Sequence, residues 1–301
     1  MARRFAFALL GVLFASLSGT VPARAETNPV PVVATFSILG DFVRQVGGER
    51  VQVVSLIGPD VDAHGFQPTP GDAARVASAR LVVANGLGLE GWVERLAKAS
   101  GGRATIVTAS RGVEPIAEAG HAHGAHGPDP HAFQSVVNAK IYVGNIRDGL
   151  AAADPDGKAV YEGNAAVYLA ELDRLEVEVR AAIARIPAER RRVITSHDAF
   201  GYYASAYGIR FIAPRGVSSD TDISARDVAR IIRQIKAEKI PAIFLENVSD
   251  PRLMERIAKE SGTRIGGKLY SDALSDARGP AATYLDLMRH NSRTLAAALV
   301  P

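Results

Sequence analysis

The chain has 301 residues, 47% of them hydrophobic, with 35 basic and 32 acidic side chains, seven histidines and no cysteine. That length can bury a core without disulfides, and the lack of cysteine excludes thiolate metal sites and leaves no residue for a cysteine-linked lipid. Three of the basic residues, Arg3, Arg4 and Arg24, sit in a leader-like start, so the remainder carries 32 of each sign and no basic footprint for nucleic acid.

In chain order, Arg3-Arg4 precede an apolar run from Phe5 to Leu17, and Ala23-Arg24-Ala25 supplies the small residues of a cleavage site. The run is shorter than the roughly 20 apolar residues that span a bilayer. Residues 1–25 are therefore expected to be a signal peptide, with Glu26 the mature start in a periplasm and no lipid anchor. Short apolar runs then alternate with amphipathic stretches, the pattern of an α/β protein with parallel sheets. Strands are expected at Val32–Phe36, Val51–Ile57, Leu81–Asn85 and Thr105–Thr108, with helices at Leu39–Val46, Gly71–Ser78 and Leu89–Ala99.

A long helical pattern follows. From Asp154-Pro155 to Ile186-Pro187, Leu169, Leu172, Leu175, Val179, Ile183 and Ile186 recur at steps of three and four. Proline just inside the start and just past the end suits helix boundaries. Beyond it, strands are expected at Arg192–Ser196, Arg210–Ala213, Ala242–Glu246 and Arg264–Lys268. Helices are expected at Ser224–Lys239 (opened by a Ser224-x-x-Asp227 cap), Arg252–Ser261 and Pro280–Leu299. The expected fold class is α/β: two similar lobes with parallel central sheets, residues 26–153 and 188–301, joined by one long rigid helix, residues 154–187, with a cleft between the lobes.

Four residues at strand ends or helix starts aim into that cleft: His64, His131, His197 and Asp272. Open α/β sheets place ligands beyond the carboxyl ends of their strands. Three imidazoles with one carboxylate suit Zn2+ in a tetrahedron, without excluding copper or nickel, whereas manganese prefers more oxygen. Metal-bound imidazoles pass their other N–H to a carboxylate or carbonyl, and Glu246 and Asp198 are the candidates for that role. His121, His123 and His126, in a Gly/Ala/Pro-rich loop, are candidates for an auxiliary zinc-collecting tract. Trp92 is expected to pack a helix into the first lobe, and His290 to lie on the surface.

Several longer pieces carry a family resemblance. They are Asp62-Ala-His64-Gly-Phe-Gln-Pro, Asn85-Gly-Leu-Gly-Leu-Glu90-Gly-Trp92, Asp129-Pro-His131, Ser196-His-Asp-Ala-Phe-Gly-Tyr202 and the stretch from Phe244-Leu-Glu-Asn-Val to Leu269-Tyr-Ser-Asp272-Ala-Leu. Together they resemble the zinc/manganese solute-binding proteins of ABC transporters, cluster A-I, in its zinc branch. The resemblance covers essentially all of the chain after the leader. It implies two α/β lobes tied by a rigid helix and one metal ion held by His64, His131, His197 and Asp272. His197 stands where manganese-type relatives usually have Glu. It also implies delivery of zinc to a cognate membrane permease; a monomer is expected, and a periplasmic zinc donor protein is a candidate further partner that the sequence does not decide. His131 is followed by Ala-Phe-Gln-Ser, where relatives commonly have an aromatic residue and Leu-Asp-Pro. Two alternatives remain at this point. One is a zinc hydrolase or lyase with the three histidines around an open position, although no His-Glu-x-x-His helix is present. The other is a carrier of manganese or another divalent metal on the same fold.

Overall fold

The computed structural model describes residues 28–116, 127–216 and 223–301. The expected signal peptide and the candidate collecting residues His121, His123 and His126 lie outside the described residues.

Among the described residues, eight strands form two four-stranded sheets. β1 (Val30–Phe36), β2 (Val51–Ile57), β3 (Leu81–Ala84) and β4 (Thr105–Thr108) make the first, in the order β2-β1-β3-β4. β5 (Arg192–Ile194), β6 (Arg210–Ile212), β7 (Ile243–Glu246) and β8 (Ile265–Leu269) make the second, in the order β6-β5-β7-β8. All pairings are parallel. β1 and β3 are buried along nearly their whole length, which is why they read as unbroken apolar runs. Each sheet reverses its winding once, between β1 and β3 and between β5 and β7. Such switch points leave a crevice at the strands' carboxyl ends.

Helices flank both sheets. α1 (Ser37–Gly47), α2 (Pro70–Ser78), α3 (Val93–Ala99) and α4 (Val136–Ala153) belong to the first lobe. α6 (Gly201–Tyr207), α7 (Ala225–Glu238), α8 (Arg252–Ser261) and α9 (Tyr284–Leu299) belong to the second. The long helix, α5, runs from Lys158 to Ala184, 27 residues or about 40 Å. It contacts α1 and α4 on one side and α6 and α9 on the other. Tyr161, Tyr168, Leu172, Leu175, Val179 and Ile183 are buried along it, within one apolar cluster that runs from β1 through to α9. A smaller cluster under α7 and α8 serves the second lobe alone.

Several boundaries differ from the sequence-based expectation, each for a visible reason. α5 begins at Lys158 and not at Asp154, because Asp154 turns its carboxylate to Arg50 (2.8 Å) and to the Tyr161 hydroxyl (2.6 Å) and leaves Pro155–Gly157 as a 3-10 turn. α3 starts at Val93 and not Leu89, because Gly86, Leu87 and Gly88 all take positive φ and Glu90 binds backward to the 85–86 amides. α9 starts at Tyr284 and not Pro280, since Thr283 is the residue that caps it, accepting from the Asp286 amide. Ser224 caps α7 through the Asp227 amide, as the sequence pattern indicates. α6 was not anticipated: Gly201-Tyr-Tyr-Ala-Ser-Ala-Tyr207 is too short for its periodicity to declare it. Among the described residues, no helix is long and apolar enough to cross a membrane.

Candidate metal centre

The two switch-point crevices face each other, and the four singled-out side chains meet between them. His197 follows directly on β5 and Asp272 on β8, while His64 sits in the loop between β2 and α2, and His131 follows β4 at the entrance to α4. His131, His197 and Asp272 are fully buried; His64 alone keeps a partly open edge, with 8% of its side chain exposed.

The contacts are close. Nε2 of His64 and Nε2 of His131 face each other at 3.1 Å. Asp272 Oδ1 lies 3.2 Å from His131 Nε2, and Oδ2 lies 3.0 Å from His197 Nε2 and 3.7 Å from His64 Nε2. One donor atom from each residue falls within 4.8 Å of all the others. A tetrahedron with arms of about 2.05 Å has edges of about 3.3 Å, so these separations suit one small ion at the centre. Both Asp272 oxygens lack a well-directed hydrogen bond in spite of that proximity. Buried oxygens left in this state are costly unless a cation takes them up.

Carboxylates behind two of the rings set their orientation. Glu246 Oε2 is 2.6 Å from His197 Nδ1, while its Oε1 accepts the amides of Ser196 (2.6 Å) and His197 (3.1 Å). Asp129 Oδ1 accepts the His131 amide and lies 2.8 Å from His131 Nδ1. The signal for Asp129 in the sequence is its place two residues before His131, across a proline, where its carboxylate can close the turn onto the following amide. Asp198 is half-buried next to His197 in the chain, but Glu246 occupies the place behind that ring. His64 is held differently: its amide donates to Asp62 Oδ1 at 2.9 Å.

These charges divide the three imidazoles. Burial works against a charged His131, but Asp272 and Asp129 outweigh it and hold the ring up at about 9. Burial likewise opposes charge on His197, and Glu246 with Asp272 overcome it, keeping the ring well above the usual histidine range. For His64, burial leads and the neighbouring His131 and His197 add to it, so the ring is pushed down to about 4 despite Asp272. Burial raises the Asp272 carboxyl, yet His197 and His131 outweigh it and hold it well below the usual carboxylate range.

Contacts between the lobes frame the site. The Leu274 amide donates to Ser37 Oγ (3.0 Å), the Asp60 amide to Leu274 O (2.9 Å), and Gln134 Nε2 to Ser271 O (2.6 Å). Asn291 grips both the amide and the carbonyl of Tyr270, anchoring the Asp272 segment on α9. Trp92 packs on Phe66, ring centroids 5.0 Å apart, and so backs the His64 loop as well as its own helix. His290 is half-buried and not simply at the surface: its Nε2 lies 2.9 Å from Lys268 O and its ring meets Tyr270 edge-on.

A buried nitrogen-rich centre clasped between two parallel-sheet lobes defines a metal-binding clamp of the bacterial solute-binding type. The chain belongs to the family described as zinc-uptake complex component A, periplasmic, matching it over residues 32–298. It is 35% identical to the iron-binding protein YfeA of Yersinia pestis, over 95% of this chain and 93% of that one. It is 33% identical to the manganese-binding lipoprotein MntA of Halalkalibacterium halodurans, over 89% of this chain and 88% of that one. Among solved structures it is similar to the periplasmic zinc-binding protein TroA of Treponema pallidum, with TM-score 0.85 and 30% identity, covering 91% of this chain and all of that one. The protein is thus an extracytoplasmic metal-binding component of an ABC transporter, working with a membrane permease, and not an enzyme.

Proposed function

We propose that the protein captures one Zn2+ through Nε2 of His64, His131 and His197 and a carboxylate oxygen of Asp272, and delivers it to its permease. The observation that carries this reading is the donor set itself: three imidazole nitrogens and one carboxylate at tetrahedral edge distances, nearly closed to solvent. Four protein donors fill a zinc shell and leave no open position for catalysis. Glu246 stands behind the His197 ring, against Nδ1 and two backbone amides, so Asp272 is the one carboxylate among the four clustered donors and the set is nitrogen-rich. The relatives named for iron and manganese make the metal the point to test.

Zinc is bound in the periplasm by a mature chain freed of its leader at Glu26. Elemental content of protein purified from its native compartment, together with competitive Zn2+ and Mn2+ titration, tests the proposal. One tight equivalent of zinc, lost in Asp272→Ala, is expected. Tighter binding of manganese than of zinc would overturn the zinc reading.

A further inference from the structure

Beneath His131 lies a buried polar network that the four donors and their carboxylate partners do not account for. Glu90 is nearly inaccessible and has three donors: the Thr35 hydroxyl (2.6 Å), the Asn85 amide (2.7 Å) and the Gly86 amide (3.1 Å). Gly86 holds φ at 84°, and a Cβ there would strike Thr108, so only glycine lets its amide face Glu90. The backbone thus pinned carries the Asn85 side chain. Its Nδ2 donates to Pro130 O at 2.8 Å, and its Oδ1 accepts from the Tyr142 hydroxyl at 2.7 Å.

Pro130 is the residue between Asp129, which orients the His131 ring, and His131 itself. The second lobe reaches the same end in one step. Glu246, at the end of β7, accepts the amides that follow β5 and also touches His197 Nδ1. In the first lobe the corresponding glutamate follows β3 and never reaches the ring. Asn85 and the Pro130 carbonyl bridge the gap.

We propose that Asn85 and Tyr142, locked by Glu90, are positioning residues for the metal centre, fixing the Asp129-Pro130-His131 turn so that His131 Nε2 meets the ion in register. The inference rests on the reading of His131 as a metal ligand. It places the cost of losing the network in the ligand field and the ion's residence time and not chiefly in the stability of the metal-free fold.

The test uses Co2+ as a spectroscopic stand-in for zinc, in the full chain and in Tyr142→Phe, Asn85→Ala and Ile146→Val. Ile146→Val trims a buried apolar residue of α4 that carries none of the network's hydrogen bonds. Tyr142→Phe removes one hydroxyl from a packed ring and is the milder probe if Asn85→Ala folds poorly. Partners behind metal ligands are worth about 10–100-fold in affinity, and one step further out the expected effect is about tenfold. Tyr142→Phe should speed Co2+ dissociation by that factor and shift the d–d bands, with Ile146→Val lowering the melting point but leaving the spectrum unchanged. Bands and dissociation rates in Tyr142→Phe and Asn85→Ala that match wild type, or move no further than in Ile146→Val, would overturn the proposal. Wild-type protein that takes up no Co2+ at a site abolished by Asp272→Ala would instead overturn the metal-site reading beneath it.

Discussion

The two lobes share one topology but hold their halves of the site in different ways. In the second lobe, His197 and Asp272 lie three residues past the ends of β5 and β8 and are fully buried, and Glu246, on an adjacent strand, lies 2.6 Å from the His197 ring while accepting the His197 amide. In the first lobe, His64 and His131 are carried on longer excursions from β2 and β4, and His64 keeps an open edge. Strand ends are held by sheet and core, whereas loops open at lower free energy. The strand-end residues of the second lobe are therefore the fixed jaw of the clamp and the His64 loop of the first lobe its adjustable part, which is where a carrier that must release its cargo needs the compliance.

Deleting a ligand should test this division most forcefully. Structural zinc sites are worth about 10–16 kcal/mol, or roughly 3 kcal/mol per ligand when shared among four. His197→Ala and Asp272→Ala should each weaken zinc by about a thousandfold in competitive titration, and His64→Ala by about a hundredfold. An equal or larger loss for His64→Ala would break the comparison. Next in size is the carboxylate behind the fixed jaw: Glu246→Gln should cost about 10–100-fold in affinity, read by the same titration. An unchanged dissociation constant would show that the ring is held by packing alone.

The pH dependence follows from the charges on the rings. With His131 held at about 9 and His197 well above the usual range, both carry protons at neutral pH in the metal-free chain. Zinc must displace them, so affinity rises with pH and at least one proton is released per ion near pH 7, measurable by calorimetry in buffers of different ionisation enthalpy. The sign is opposite for the metal-free fold. A histidine raised from about 6.5 in the unfolded chain contributes stability that is present below that value and is lost as pH rises through about 9. The gap in Tm between loaded and metal-free protein should therefore widen from pH 6 to pH 9; a constant gap would contradict these charges. The smallest expected effect is optical. Because Phe66 ties Trp92 to the His64 loop, zinc should change tryptophan emission modestly, and His64→Ala should blunt that change more than Glu246→Gln.

Much of this was readable beforehand, and the reasons are physical. The strands read as short apolar runs bounded by turn residues, with β3 and β5 buried or half-buried throughout, and β2 and β4 fall on their expected limits. α8 does too, because its amphipathic pattern is strong and glycine stops it at Gly262. The discrepancies cluster where a side chain finds a local or tertiary partner at the helix start: Glu90 takes the 85–86 amides before α3, Asp154 takes Arg50 and the Tyr161 hydroxyl before α5, and Thr283 takes the Asp286 amide at α9. Periodicity reports which face is apolar, not which carboxylate has captured an amide. The roles of Asp129 and Asn85 are not legible in the sequence for a related reason: Asp129 acts on His131 two residues away and Asn85 on the distant Pro130 carbonyl, and neither residue breaks any sequence pattern.

The alternation of strands and helices, the long helix between two halves and four candidate metal-binding side chains beyond strand ends are legible along the chain, because hydrophobic period and turn chemistry are local properties. Only the tertiary structure decided that Nε2 atoms from both halves and the Asp272 carboxylate come within about 3 to 4 Å of one another. It also decided that Glu246 and not Asp198 stands behind His197, and that His64 alone keeps an edge toward solvent. Those facts depend on how two sheets and α5 pack across one another, and no window of sequence contains that packing.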